Sequence, residues 1–94
     1  MRLNWTRLAI ADLDSAYEYV AAEDPTAASR MIDRIEEAAS VLSRHPEAGR
    51  AGRVDGTREL VVTGTPFIVP YRVRNGVIEI LAVIHGSRKW PEAL

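Results

Sequence analysis

The residues of this chain best suited to chemistry are arginines and a histidine in its second half. Arg50, Arg53 and Arg58 lie close together in a glycine-rich stretch, and Arg72 and His85 follow in alternating, strand-like sequence. A guanidinium group binds phosphate or carboxylate oxygens through a planar fork, and an imidazole can transfer protons near neutral pH. Such a set could stabilise a phosphate during transfer, or it could bind an acidic partner.

Two of these candidates, Arg72 and His85, also have a structural interpretation. Arg72 and Glu79 face each other in the hairpin predicted below, and a cross-strand ion pair is worth about 0.2–1 kcal/mol. A lone histidine such as His85 is more often structural than catalytic. Near the end of the chain, Arg88 is a candidate contact for a partner, whereas Trp90 either covers an edge of the core or contacts that partner.

Several site classes are excluded or unsupported by the residues present. The chain has no Cys, so it has no disulfide, no thiolate zinc site and no cysteine nucleophile. His45 and His85 have no metal-ligand spacing, so we expect no metal. Gly49–Arg53 has the GXXG form of an RNA-binding KH loop but leads toward a strand, and it lacks the Lys-Ser/Thr ending of a phosphate-binding loop. We expect no cofactor.

Charge is distributed unevenly along the chain, although the formal net charge is only −1. Residues 1–48 carry five basic and nine acidic side chains, whereas residues 49–94 carry seven basic and four acidic ones. The low net charge argues against a protein covered in positive charge for binding nucleic acid.

Length and composition predict one small globular domain spanning residues 1–94. The 94 residues are 47% hydrophobic and 27% charged, which is typical of a folded chain. No apolar run approaches the roughly 18 residues of a membrane span. The lack of Cys and of a signal-peptide pattern fits a cytoplasmic protein.

Helical periodicity dominates the first half. Thr6 is a plausible N-cap for a first helix, and Asp24 followed by Pro25 is typical of the start of a second one. His45-Pro46 ends that helix. The link between the helices is short, so residues 6–44 are predicted to form an antiparallel helical hairpin. A short edge strand is expected at Leu3–Trp5.

Strand patterns dominate the second half, after a predicted loop over residues 46–57. Strands are expected at Arg58–Val62, Phe67–Val73 and Val77–His85, and Asn75-Gly76 predicts a type I′ turn between the last two. That turn sets the register: Tyr71 faces Ile80, Arg72 faces Glu79, and Phe67 faces Ile84. Pro70 cannot donate to the ladder, so we expect a bulge or an unpaired position there.

The register assigns side chains to two faces of the hairpin. The face predicted to pack on the helices is apolar and contains Phe67, Val69, Tyr71, Val73, Ile78, Ile80, Ala82 and Ile84. The other face contains Ile68, Pro70, Arg72, Glu79, Leu81, Val83 and His85. On this assignment, Leu81 tolerates a charge better than Ile80 does. Should Arg58 face the same way on its own strand, Arg58, Arg72 and His85 would line one surface.

Several stretches, taken in order, resemble the RelE/ParE superfamily of bacterial toxins from type II toxin–antitoxin modules. They are Trp5-Thr6 with Ala11–Leu13, DPTAA at 24–28, HPEAGR at 45–50, TRELVV at 57–62, GTPFIVPYRV at 64–73 and VIHGSRKWP at 83–91. The resemblance implies a helical hairpin packed on a small antiparallel sheet, an α+β fold. It also implies a cognate antitoxin whose C-terminal segment wraps the toxin in a hetero-oligomer.

The superfamily contains two mechanistic branches. ParE-like members inhibit DNA gyrase without a nuclease site, whereas RelE-like members cleave mRNA on the ribosome. Resemblance to the second branch would give Arg50, Arg53, Arg58 and His85 catalytic roles, but the C-terminal Tyr and the Lys-rich loop common there have no match. The low net charge and the GTPFIVPYRV and HGSRKWP stretches favour the ParE-like, plasmid-stabilisation branch. Arg58, Arg72, His85, Arg88 and Trp90 are then candidates for contacting the antitoxin or the target.

Overall fold

The computed structural model describes residues 1–91 of the chain. Its elements, in chain order, are β1 (Arg2–Trp5), α1 (Arg7–Ala21), α2 (Pro25–Val41), β2 (Arg50–Ala51), β3 (Arg58–Val61), β4 (Phe67–Arg74), β5 (Val77–Ile80) and β6 (Ile84–His85). Two helices pack on a six-stranded sheet, which confirms the predicted α+β architecture. Neither helix in the described range is long and apolar enough to span a membrane.

Both helices begin at the residues predicted to cap them. The Thr6 hydroxyl accepts a hydrogen bond from the Ala9 N–H at 3.2 Å, and the Asp24 carboxylate accepts one from the Ala27 N–H at 3.1 Å. Each cap satisfies a backbone donor that the first helical turn leaves unpaired. With only residues 22–24 between them, α1 and α2 form the predicted hairpin.

The sheet is mixed, with strand order β1-β5-β4-β3-β2 and with β6 paired to β4. The expected edge strand exists as β1 and runs parallel to β5, whereas the other pairings among the described strands are antiparallel, as the resemblance implies. The predicted loop over residues 46–57 contains the two-residue strand β2, which pairs with β3.

The turn at Asn75-Gly76 sets the register that the sequence predicts. Both residues have positive φ, 53° and 72°, as a type I′ turn requires. Tyr71 faces Ile80 and Arg72 faces Glu79, as predicted. Beyond this point the prediction is wrong by one residue, because Phe67 pairs with His85 and not with Ile84.

The register shift originates at Pro70, where a bulge or an unpaired position was expected. The Leu81 N–H donates to the Pro70 carbonyl at 2.9 Å, but proline has no N–H to return. The carbonyl of Leu81 instead accepts the Thr6 hydroxyl at 3.2 Å, and the Val83 N–H donates to Asp12 Oδ2 at 3.0 Å. Residues 81–83 therefore leave the ladder and are held against the start of α1.

The core lies between the two helices and one face of the sheet. It is built around the buried residues Ala9, Ile35, Ala39, Leu42, Val62, Val69, Tyr71, Ile78, Ile80 and Val83. The predicted face assignment needs two corrections. Leu81 and Val83 are buried because their segment turns toward α1, whereas Val73 is 44% exposed because β4 extends past the last β3 pair, Arg58 with Tyr71.

Candidate functional site

The predicted site residues occupy separate regions of the fold. The first region is the Glu59 cluster, which consists of Glu59, Arg50 and Arg53. Glu59 Oε1 accepts hydrogen bonds from Arg50 Nε and Nη2 at 3.3 and 3.1 Å. Glu59 Oε2 accepts from the backbone N–H and the Nε of Arg53 at 2.8 and 3.2 Å. One buried carboxylate, 3% exposed, therefore binds both loop arginines.

The Glu59 carboxylate is held in its charged form. Burial alone would raise its pKa, but the hydrogen bonds from Arg53 and Arg50 outweigh burial and hold the pKa of Glu59 below its ordinary value. The Arg53 guanidinium also covers the Trp90 ring, with its central carbon 3.6 Å from the ring centroid. Trp90 thus folds back onto the sheet side of the molecule and contacts the Glu59 cluster.

A network of hydrogen bonds around Tyr71 fixes the backbone that precedes β2. The buried Tyr71 hydroxyl donates to the Pro46 carbonyl at 2.7 Å and accepts from the Gly49 N–H at 2.8 Å. Burial raises the pKa of Tyr71, with the Gly49 hydrogen bond acting in the opposite direction. Arg58 Nη1 donates to the Gly49 carbonyl at 2.8 Å and, more weakly, to that of Glu47. The Arg58 guanidinium therefore holds the backbone of residues 47–49 in place.

Arg72 forms the predicted cross-strand ion pair. Its Nε donates to Glu79 Oε1 at 2.7 Å, and Arg74 approaches the same oxygen at 3.4 Å. The hydrogen bond from Arg72 lowers the pKa of Glu79. Arg58 pairs with Tyr71, so these two side chains lie on the same face of the sheet. Arg72 is the next residue of β4, and successive side chains of a strand alternate between faces. Arg58 and Arg72 therefore lie on opposite faces.

His85 lies on the face of Phe67, opposite that of Arg72. Its ring meets the Phe67 ring edge-on, with centroids 5.6 Å apart. Its Nδ1 accepts from the Ser87 N–H at 3.2 Å and lies 2.8 Å from the Ser87 hydroxyl. The conditional surface formed by Arg58, Arg72 and His85 is therefore not formed.

A further region is a groove between α1 and the segment that includes β6, here called the α1 groove. It has a volume of about 700 Å³. Its lining is mostly apolar on the α1 side and partly cationic on the other: Leu8, Asp12, Ser15, Ala16, Tyr19, Phe67, Ala82, Val83, Ile84, His85, Arg88, Lys89 and Pro91. Two of the molecule's exposed large apolar side chains, Leu8 at 51% and Tyr19 at 77%, line it.

The α1 groove is long enough for a segment of secondary structure. Leu8 and Tyr19 are eleven residues apart on one helix, which corresponds to about 16 Å at 1.5 Å per residue. Among the predicted contact residues, His85 and Arg88 line this groove, whereas Arg58, Arg72 and Trp90 do not.

Sequence reasoning missed Glu59 and the role of the Tyr71 hydroxyl. Glu59 lies in a short strand between Arg58 and two apolar residues, with Arg50 and Arg53 nine and six residues earlier. A glutamate in such a strand indicates a buried ion pair only if β2 is known to lie beside it. Because β2 has only two residues, it leaves no periodic pattern in the sequence from which it could be predicted. Residues 1–91 contain no group of three or more potential metal ligands.

Comparison with known proteins agrees with this architecture. The family model of the ParE toxin of the type II toxin–antitoxin system parDE matches residues 3–90. The chain is 43% identical to Sinorhizobium fredii Y4kP, whose name describes it as a toxin, over 99% of this chain and 96% of that protein. It is 38% identical to toxin RelE2 of Caulobacter vibrioides, over 89% of this chain and 93% of that protein.

Solved structures show the same likeness. A chain of the chromosomal ParDE system of Pseudomonas aeruginosa superposes with a TM-score of 0.82 at 38% identity, covering 90% of this chain and 95% of that one. A YoeB/ParE toxin of Agrobacterium tumefaciens, 24% identical, shares the fold with a TM-score of 0.61, covering 88% and 95%.

The fold and these likenesses together identify a small toxin of the RelE/ParE superfamily. The chain belongs to the ParE toxin family of type II toxin–antitoxin systems. Membership implies a cognate antitoxin as partner.

Proposed function

We propose that the protein arrests growth by inhibiting DNA gyrase, as a ParE-like toxin, and that its cognate antitoxin neutralises it by filling the α1 groove. The observation that carries the gyrase part is that the four residues that a nuclease would need do not all meet at one place. Arg50 and Arg53 are paired with Glu59, Arg58 is bonded to backbone carbonyls, and His85 lies on another part of the surface.

Phosphoryl chemistry requires the cations that stabilise the phosphate and the group that moves the proton to meet at one phosphorus. In this structure the guanidinium groups of Arg50 and Arg53 are partly neutralised by Glu59. A net charge of −1 also suits a ribosome-bound nuclease poorly, since docking on dense phosphate depends on many basic contacts. Both features favour a protein target.

The first test is a purified translation reaction with antitoxin-free protein. We expect the mRNA to remain intact. In a separate supercoiling reaction with purified gyrase, we expect the protein to inhibit supercoiling. His85→Ala should leave growth arrest largely intact, because inhibition of gyrase by binding requires no proton-transferring group. Ribosome-dependent cleavage that disappears in His85→Ala or Arg58→Ala, in variants that still fold, would contradict the proposal and make the protein an mRNA endonuclease.

The antitoxin part of the proposal rests on the shape and charge of the α1 groove. Leu8, Tyr19 and Phe67 offer an apolar wall, and Arg88 and Lys89 place two cations on the same groove. An amphipathic segment with apolar anchors and acidic flanks complements such a surface. Arg72 and Arg50, in contrast, are already paired with Glu79 and Glu59.

A charge inside the α1 groove should therefore impair antitoxin binding. Leu8→Glu places a carboxylate among apolar contacts and opposite an acidic partner, and we expect the Kd for the antitoxin to rise at least about tenfold, equivalent to about 1.4 kcal/mol. Ile10→Glu is the matched control, because Ile10 is on the same helix and 49% exposed but does not line the groove. Calorimetric titration measures both. Equal effects of the two variants would contradict the proposed docking site.

A further inference from the structure

The segment of residues 86–91, here called the tail, is attached to the rest of the molecule at both of its ends. At its start, the Gly86 N–H donates to the Pro66 carbonyl at 2.8 Å, and the N–H groups of Ser87 and Arg88 donate to Nδ1 and the carbonyl of His85 at 3.2 and 3.0 Å. Near its end, the Trp90 ring lies under the Arg53 guanidinium, and Trp90 Nε1 is buried. Arg88 and Lys89, which line the α1 groove, connect the first attached end to Trp90. The path of their side chains along the groove therefore depends on both ends being held.

The second attachment is fixed by the Glu59 cluster. Arg53 is 48% exposed, and an exposed arginine ordinarily samples many rotamers. Here its own N–H and its Nε both donate to one oxygen of a carboxylate that is 3% exposed. This two-point contact holds the guanidinium plane in one orientation, which gives the indole a flat charged surface to stack on.

We propose that Glu59 is a positioning residue for the α1 groove, acting through Arg53 and Trp90 to hold the tail so that Arg88 and Lys89 line that groove. The tail borders the α1 groove at Arg88, Lys89 and Pro91, while the Trp90 side chain contacts the Glu59 cluster. A contact at that cluster therefore controls the cations of a surface that Glu59 does not touch. The expected effect on antitoxin binding rests on the proposed docking of the antitoxin in the α1 groove. The attachment of Trp90 to Arg53 is independent of that docking.

Tryptophan fluorescence tests the attachment directly. The chain has two tryptophans, Trp5 and Trp90, so Trp5→Phe leaves Trp90 as the sole reporter. In this background, Arg53→Gln should shift the Trp90 emission to longer wavelength and increase its quenching by acrylamide severalfold, because the indole loses its cover. Arg53→Lys should restore only part of the protection, since a lysine cannot reproduce the planar stack.

Arg72→Gln is the matched control, because Arg72 also bonds a glutamate on the sheet but is not the residue that covers Trp90. It should leave the emission unchanged. Glu59→Gln should resemble Arg53→Gln, and circular dichroism shows whether that variant still folds. Unchanged Trp90 fluorescence in Arg53→Gln would overturn the proposal even if Glu59→Gln unfolds.

A titration with the cognate antitoxin then separates the two proposals. We expect Arg53→Gln to weaken binding severalfold and Arg72→Gln to leave it unchanged. Altered fluorescence with unaltered affinity would overturn the positioning role. Wild-type affinity in Leu8→Glu would instead overturn the docking site, while the fluorescence result would still report the attachment of the tail.

Discussion

Ile80→Asp is expected to leave the protein unfolded at neutral pH. Ile80 is fully buried in β5, opposite Tyr71 and within the main core cluster. Truncating a buried isoleucine costs about 2–5 kcal/mol, and burying a carboxylate without a partner costs several kcal/mol more. A domain of this kind is stable by only about 5–15 kcal/mol. Far-ultraviolet circular dichroism and a thermal melt measure the outcome.

Two further substitutions on the same hairpin test the corrected face assignment. Leu81→Asp should also be severely destabilising, because Leu81 is only 6% exposed in the segment that turns toward α1. Val73→Asp should change the free energy of unfolding little, by about 0.5 kcal/mol as at other exposed sites, since Val73 is 44% exposed. A folded Ile80→Asp with an unfolded Val73→Asp would show that the register is wrong.

Local rules were sufficient to predict both helices and the tip of the β4–β5 hairpin. Thr6, Asp24 and Pro25 act within the first turn of a helix, and Asn75-Gly76 determines the turn that joins two strands. Each of these features depends on neighbours in sequence, so no knowledge of the rest of the fold is needed. The confirmed pairing of Arg72 with Glu79 follows from the turn by counting alone.

The path of residues 81–83 could not be predicted by counting. Pro70 indicated an irregularity in the β-ladder. The form of that irregularity depends on which donor bonds the Leu81 carbonyl, because Pro70 has no N–H to offer it. That donor is the hydroxyl of Thr6, 75 residues away in sequence. Because the segment turns toward α1, Leu81 and Val83 move into the core and His85 moves to the Phe67 side.

The same limitation applies to the candidate site. The sequence identified Arg50, Arg53, His85 and Arg88 by their chemistry, but it could not show which of them share a surface. Glu59 brings the first two together, and α1 provides the wall opposite the other two. Both groupings are set by contacts between distant elements, which residue type and spacing do not encode.

Gly49→Ala is expected to be strongly destabilising, although alanine adds only one methyl group. An added Cβ would lie 2.6 Å from Tyr71 Cε1, 2.7 Å from its hydroxyl oxygen and 3.0 Å from the Glu59 carbonyl. None of these atoms can easily move, because Tyr71 is fully buried and its hydroxyl is bonded to the Pro46 carbonyl. Overpacking costs about 1–3 kcal/mol, and each buried polar group left unpaired costs about 1–3 kcal/mol more.

The matched control is Gly86→Ala, where the nearest atom to an added Cβ is the Pro66 carbonyl oxygen at 3.4 Å, an ordinary contact. Chemical denaturation should therefore show a large loss of stability for Gly49→Ala and a small change for Gly86→Ala. Tyr71→Phe removes the hydroxyl, so combining it with Gly49→Ala should cost less than the sum of the two single losses. Strict additivity, or a Gly49→Ala protein as stable as the wild type, would show that the Tyr71 hydroxyl does not hold the loop before β2. In that case the placement of Arg50 beside Glu59 would need another cause.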